Sequence, residues 1–77
     1  MGQIQFSVIQ TAREGVDELD RLRREMGLSQ MGISQLADMP DEGQQYYRMY
    51  RSGEVKLSKF LKFLKVTGYE LILIKKE

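Results

Sequence analysis

The sequence predicts a mainly α domain of four to five short helices that closes on a short β-strand. Three observations predict it. Apolar residues recur at spacings of three and four through the middle of the chain. Gly, Pro and Ser-Gly interruptions divide that stretch into short segments. The two ends carry period-two or two-faced apolar runs, which suit strands and not helices.

Gln3 to Ile9 alternates, with Ile4, Phe6 and Val8 on one side and Gln3, Gln5 and Ser7 on the other, as in a half-buried strand. Thr11 then caps a helix with Val16, Leu19, Leu22 and Met26 as its inner stripe, and Gly27 ends it. Gly15 weakens the first part of this helix, so its start lies at Thr11 or nearer Asp17. A second short helix runs from Leu28 toward Ala37, capped by Ser29 or by Gly32. Pro40 with Asp41 and Glu42 behind it makes a helix start, and the third helix continues from Gln44 through Tyr50 to stop at Ser52-Gly53. Ser58 caps a fourth, with Phe60, Leu61 and Leu64 inward beside Leu57, and Gly68 ends it.

The tail from Tyr69 to Ile74 is apolar on both faces, so a strand there needs cover on both sides. In so short a chain the source of cover is a second subunit, and the N-terminal strand can extend the same sheet. The expected organisation is one domain over 1–77: a strand arm at 1–10, a helical core at 11–66 and a dimerising strand at 69–75.

Seventy-seven residues bury a modest fraction of their surface, so the stability margin is thin. Cysteine and histidine are absent, which excludes disulfides, thiol chemistry and zinc fingers, and no metal or other cofactor is expected. The first residues have no basic start and no long apolar run, so neither a signal peptide nor a membrane span is expected and a cytoplasmic protein is. Twelve basic and eleven acidic residues leave a net charge of +1, a weak overall attraction for nucleic acid. The charges are nonetheless grouped: Arg21, Arg23 and Arg24 early, Lys56, Lys59, Lys62 and Lys65 late, acids at Glu14 to Asp20 and at Asp38 to Glu42. Ser7, Ser29, Ser34, Ser52 and Ser58 have no nearby base, carboxylates sit at helix starts where capping explains them, and no Gly-rich phosphate loop occurs. An enzyme is not expected.

Short helices with a tight turn between the second and third suggest a helix-turn-helix. Leu36-Ala37 and Gly53 resemble the Xre/Cro family of the lambdoid phage repressors, in which the same separation joins the end of helix two to the close of the recognition helix. Leu22 to Gln30 is similar to that family's passage from helix one to helix two. Leu57 to Leu64, followed by Gly68 to Ile74, is similar to the close of HipB-type antitoxins, which end in a strand paired across a dimer. The resemblance covers roughly residues 17 to 74 in scattered matches.

It implies a homodimer on double-stranded DNA. Gln44 and Gln45 would meet base edges, Arg48 a guanine or a phosphate, and an exposed Tyr46 a thymine methyl or a sugar. Gln30, Lys56 and Lys59 would touch the phosphate backbone, Tyr47 and Tyr50 would point inward, and Leu71, Ile72, Leu73 and Ile74 would pair across the dimer. A glutamine paired bidentately with adenine is worth roughly 1–3 kcal/mol of discrimination. The sequence departs from the pattern in spacing: Leu28-Ser29-Gln30 and Leu36-Ala37 stand about one helical turn too far apart, implying an insertion between helices one and two or a longer second helix. Asp41 stands at the turn glycine, Glu42 stands where the family has a buried aliphatic that Met39 or an earlier helix start could replace, and Arg51 replaces a common glutamate.

Asp38, Asp41 and Glu42 sit where DNA phosphates would approach, and like charges repel. The alternative function is therefore a protein binder of the same fold, an antitoxin or antiactivator holding a toxin or activator, with Tyr46 and Met49 inside an acidic rim.

Overall fold

The computed structural model describes residues 4–76. Four helices follow one another, α1 Ala12–Glu25, α2 Gln30–Leu36, α3 Gln44–Ser52 and α4 Leu57–Thr67, and the described residues include no strand. The mainly α expectation holds with four helices. α1 packs on α3 and α4, and α2 packs on the same two. Between them lie Val16, Leu19 and Leu22 of α1, Ile33 of α2, Ala37 and Met39 of the turn, Tyr46 and Met49 of α3, and Phe60, Phe63 and Leu64 of α4. No helix among the described residues is long and apolar enough to cross a membrane.

Local chemistry fixes the boundaries. Thr11 caps α1 as expected, its hydroxyl accepting from Glu14 N at 3.1 Å. Of the two candidates for α2, Ser29 is the cap, accepting from Gly32 N at 2.9 Å. α1 and α2 stop in the same way. In α1, Leu28 N bonds Arg23 O and Gly27 N bonds Arg24 O; in α2, Met39 N bonds Ser34 O and Asp38 N bonds Gln35 O. Both are Schellman motifs, and the second places Asp38 in the left-handed region at φ 60°. The residue after it, Met39, folds back into the core at 6% exposure.

The spacing anomaly resolves differently from either expectation. The link from α1 to α2 is short and α2 has only seven residues. With Ser29 as cap, Ile33 and Ser34 take the inward positions, both fully buried. The turn expected to be tight spans residues 37–43. Pro40 does not open the third helix, because Gly43 at φ 82° precedes Gln44 at its start. A Cβ on Gly43 would lie 3.2 Å from Met31 N and 3.3 Å from the carbonyl carbon of Gln30. That close approach sets the start of α3 against the start of α2. Asp41, expected at the left-handed position, instead accepts from Gln45 N at 2.8 Å, while Asp38 and Glu42 (φ 61°) take the left-handed conformations.

Four further expectations are corrected. Ser58 does not cap α4; Lys56 is the flanking residue, and Phe60 N bonds Lys56 O. This start turns Phe63 inward, while Leu57 and Leu61 remain exposed. Met26, past the last turn of α1, is also exposed. Neither terminal strand forms: Ile4 to Gln10 and Tyr69 to Lys76 carry no ladder, and Gln3 of the expected first strand lies outside the described residues. The two ends meet through side chains, Tyr69 Oη donating to Gln5 Oε1 at 3.2 Å.

Candidate nucleic-acid interface

The orientation of α3 decides which residues reach outward. Its sequence is apolar or amphipathic nearly all round, with tyrosines at 46, 47 and 50 and Met49 between them. Two inward stripes are therefore available, 47 with 50 or 46 with 49. The protein uses the second: Tyr46 is fully buried and Met49 nearly so, while Tyr47 is half-exposed and Tyr50 partly buried. This reverses the expectation for Tyr46, Met49 and Tyr47, while Tyr50, expected inward, packs against the edge of the core. Tyr46, with no exposed surface, is a core residue and does not belong to an outward-facing surface.

A buried polar cluster holds this rotation. Asp20, on the inner side of α1, accepts the Tyr46 phenol at 2.7 Å and Arg23 Nε at 3.0 Å on one oxygen, and Arg24 Nη2 at 2.9 Å on the other. Arg23 also donates to Leu28 O at 2.8 Å, and its guanidinium lies 5.6 Å from the Tyr46 ring centroid. The ring meets Phe63 of α4 edge-on, with centroids 5.3 Å apart. Burial opposes ionisation of Asp20, but the hydrogen bonds from Arg23 and Tyr46 outweigh it and hold the carboxyl below its usual range. Burial and the adjacent carboxylate push the Tyr46 phenol well above its usual value, so it stays a donor. At the other end of α3, Arg13 Nη1 donates to Tyr50 O at 2.9 Å, so α1 grips the helix twice.

With Tyr46 inward, Gln44, Tyr47, Arg48 and Arg51 fall on one exposed stripe at helical spacing. Arg51 Nη1 donates to Tyr47 Oη at 3.0 Å, and its guanidinium carbon lies 5.7 Å from the ring centroid, so the pair is already ordered. Neither Tyr47 nor Arg51 was singled out from sequence as an outward contact.

Gln45, Arg48, Lys56 and Lys59 do come together. They line an open groove between the end of α3 and the start of α4, floored by Met49, Val55 and Phe63. Three cations stand there against one carboxylate, Glu54. Gln30 is separate, at the first turn of α2, where its carbonyl accepts from Ser34 Oγ at 2.9 Å; the approach of Gly43 brings that turn beside Gln44. The basic residues divide by use. Arg13, Arg21, Arg23 and Arg24 are paired with acids of their own helix, Arg21 with both Glu18 and Glu25. Among the described residues, Arg48, Arg51, Lys56 and Lys59 enter no salt bridge. The early arginine cluster is thus internally neutralised, whereas Arg48, Arg51, Lys56 and Lys59 leave positive charge available to a ligand along α3 and the start of α4.

Asp38 and Glu42 are exposed in the turn before α3. Leu71, Ile72, Leu73 and Ile74 are exposed along the tail, Leu73 at 95%. The chain matches no protein-family model, no curated protein and no solved structure with which it was compared.

Proposed function

We propose that the protein is a sequence-specific DNA-binding regulator of the helix-turn-helix type, non-enzymatic and acting as a homodimer. The observation that carries this reading is the outward stripe Gln44, Tyr47, Arg48 and Arg51, flanked by the cationic groove of Arg48, Lys56 and Lys59. A helix presenting amide and guanidinium groups suits base edges in a major groove, and lysines beside it suit phosphates that position the duplex without reading it. Helices α2 and α3 start side by side, so Gln30 and Gln44 face the same end of the domain. The homodimer follows from the exposed apolar tail, Leu71 to Ile74, since a monomer leaving it in water invites edge pairing with other chains.

Selection of bound sequences from random duplex DNA with the purified protein at physiological salt tests the reading. A two-fold symmetric motif is the expected product, and recovery at background would overturn it. One observation favours a second reading: Asp38 and Glu42 lie exposed beside Leu36, itself 63% exposed. An apolar spot within an acidic rim suits a protein partner, a toxin or an activator. In that case DNA selection fails while a Leu36→Ser variant loses a partner that copurifies with the parent.

A further inference from the structure

We infer that the tail of one chain pairs antiparallel with the tail of a second copy, in the register that places Leu73 opposite Leu73. This rests on the homodimer reading and specifies its geometry. Residues Glu70 to Lys76 belong to no helix and are exposed, and Leu73 and Ile74 are among the most exposed large apolar residues described. The segment is flanked by opposite charges, Glu70 before the apolar run and Lys75-Lys76 after it. Parallel pairing in register would set acid beside acid and lysine beside lysine, whereas antiparallel pairing sets each acid beside a base. Like charges directly opposite destabilise a pair and unlike charges stabilise it.

Symmetry narrows the choice further. A two-fold axis perpendicular to an antiparallel pair keeps each side chain on its own face, so some residue must lie opposite its own copy. With Ile72 at the axis, Glu70 would oppose Ile74 and Lys76 would oppose Gly68. With Ile74 at the axis, Lys76 would oppose Ile72. With Leu73 at the axis, Glu70 opposes Lys76, Ile72 opposes Ile74 and Leu71 opposes Lys75, whose alkyl stem covers it. One face then carries β-branched pairs closed at both ends by an ion pair, and the other carries the leucines. This is the register in which no charge faces an isoleucine.

The absence of cysteine permits a clean test in the full chain. Residues at the axis would have Cα atoms about 4.5–5.5 Å apart, within disulfide reach, whereas a residue one position off the axis would sit about 8 Å from its own copy, too far to bridge. Leu73→Cys should therefore oxidise to a covalent dimer, while Ile72→Cys and Ile74→Cys should remain uncrosslinked. Preferential crosslinking of Ile72→Cys or Ile74→Cys would overturn the register, and equal crosslinking of all three would mean parallel pairing. Glu70→Lys and Lys76→Glu should each weaken dimerisation several-fold, with the double variant restoring it; no restoration would also sink the proposal. Sedimentation of the unmodified protein separates the two levels. A monomer there removes the homodimer itself, whereas a dimer with the wrong crosslinks removes only this register.

Discussion

Replacing Tyr46 with Phe keeps the ring, its edge contact with Phe63 and the volume of the core, and removes only the phenol that donates to Asp20 at 2.7 Å. The variant therefore isolates one buried, charge-assisted hydrogen bond. Such bonds contribute roughly 1.5–3 kcal/mol. Asp20 retains Arg23 and Arg24 as donors, so it is not orphaned, and the lower half of that range, about 1.5–2 kcal/mol, is expected at neutral pH. In a domain of this size that lowers the melting temperature by roughly 10 °C. The loss should also depend on pH. The folded-state pKa of Asp20 is depressed, so its contribution is present above the unfolded-state value near 4 and disappears as pH falls through the folded value. The difference between parent and variant should accordingly be full at pH 7 and shrink below about pH 4. Urea denaturation of both proteins at pH 7 and pH 3 measures it. A loss under about 0.5 kcal/mol at pH 7, or a loss independent of pH, would refute the role assigned to this bond.

Gly43→Ala forces a Cβ onto the backbone of Met31 at φ 82° and should cost about 2 kcal/mol or more of stability, read by thermal melting; a neutral effect would remove the close approach of α2 and α3. Gln44→Ala should weaken a selected DNA site by roughly 1–3 kcal/mol and leave non-specific duplex binding almost unchanged. Lys56→Ala should weaken both alike and lower the salt slope by about one, as titrations at several ionic strengths would detect. Replacing Asp41 with Asn and Glu42 with Gln should raise DNA affinity, more at low salt, at some cost in helix stability because Asp41 receives the Gln45 amide. If DNA affinity stays flat and a copurifying protein is lost instead, the acids belong to a protein-binding rim.

The local signals of helix ends were legible without the fold. Thr11, Gly27, Gly53 and Gly68 act where their own backbone chemistry puts them, since a cap or a left-handed turn involves only a few neighbouring residues; for α2 the sequence left Ser29 and Gly32 open, and the structure chose Ser29. The inner stripe of α1 was legible for the same reason: Val16, Leu19 and Leu22 form a periodic row that polar residues interrupt. The clustering of Gln45, Arg48, Lys56 and Lys59 could be read because they flank a single short connection.

The rotation of α3 could not be read that way. Tyrosine is amphipathic, so a helix carrying it at 46, 47 and 50 has no apolar face that periodicity alone can select. What favours it is 26 residues away: Asp20 is buried on α1, and beside the two arginines of its own helix it takes a third donor, the Tyr46 phenol, which only this orientation of α3 supplies. The course of the turn over 37–43 was hidden likewise, because Asp38 in a left-handed cap and Met39 folding inward depend on where α2 stops against its neighbours. Strand pairing at the two ends was over-read. Alternation describes which side chains seek cover, but a strand exists only where a second backbone lies alongside, and one copy of this chain does not provide it. Sequence thus determined the helices, the cap at Thr11, the glycine stops and the apolar character of the tail, all short-range consequences of residue type, but not the starts of α3 and α4. Tertiary structure decided which face of α3 meets the outside, because that choice is made by a buried charge satisfied across the core.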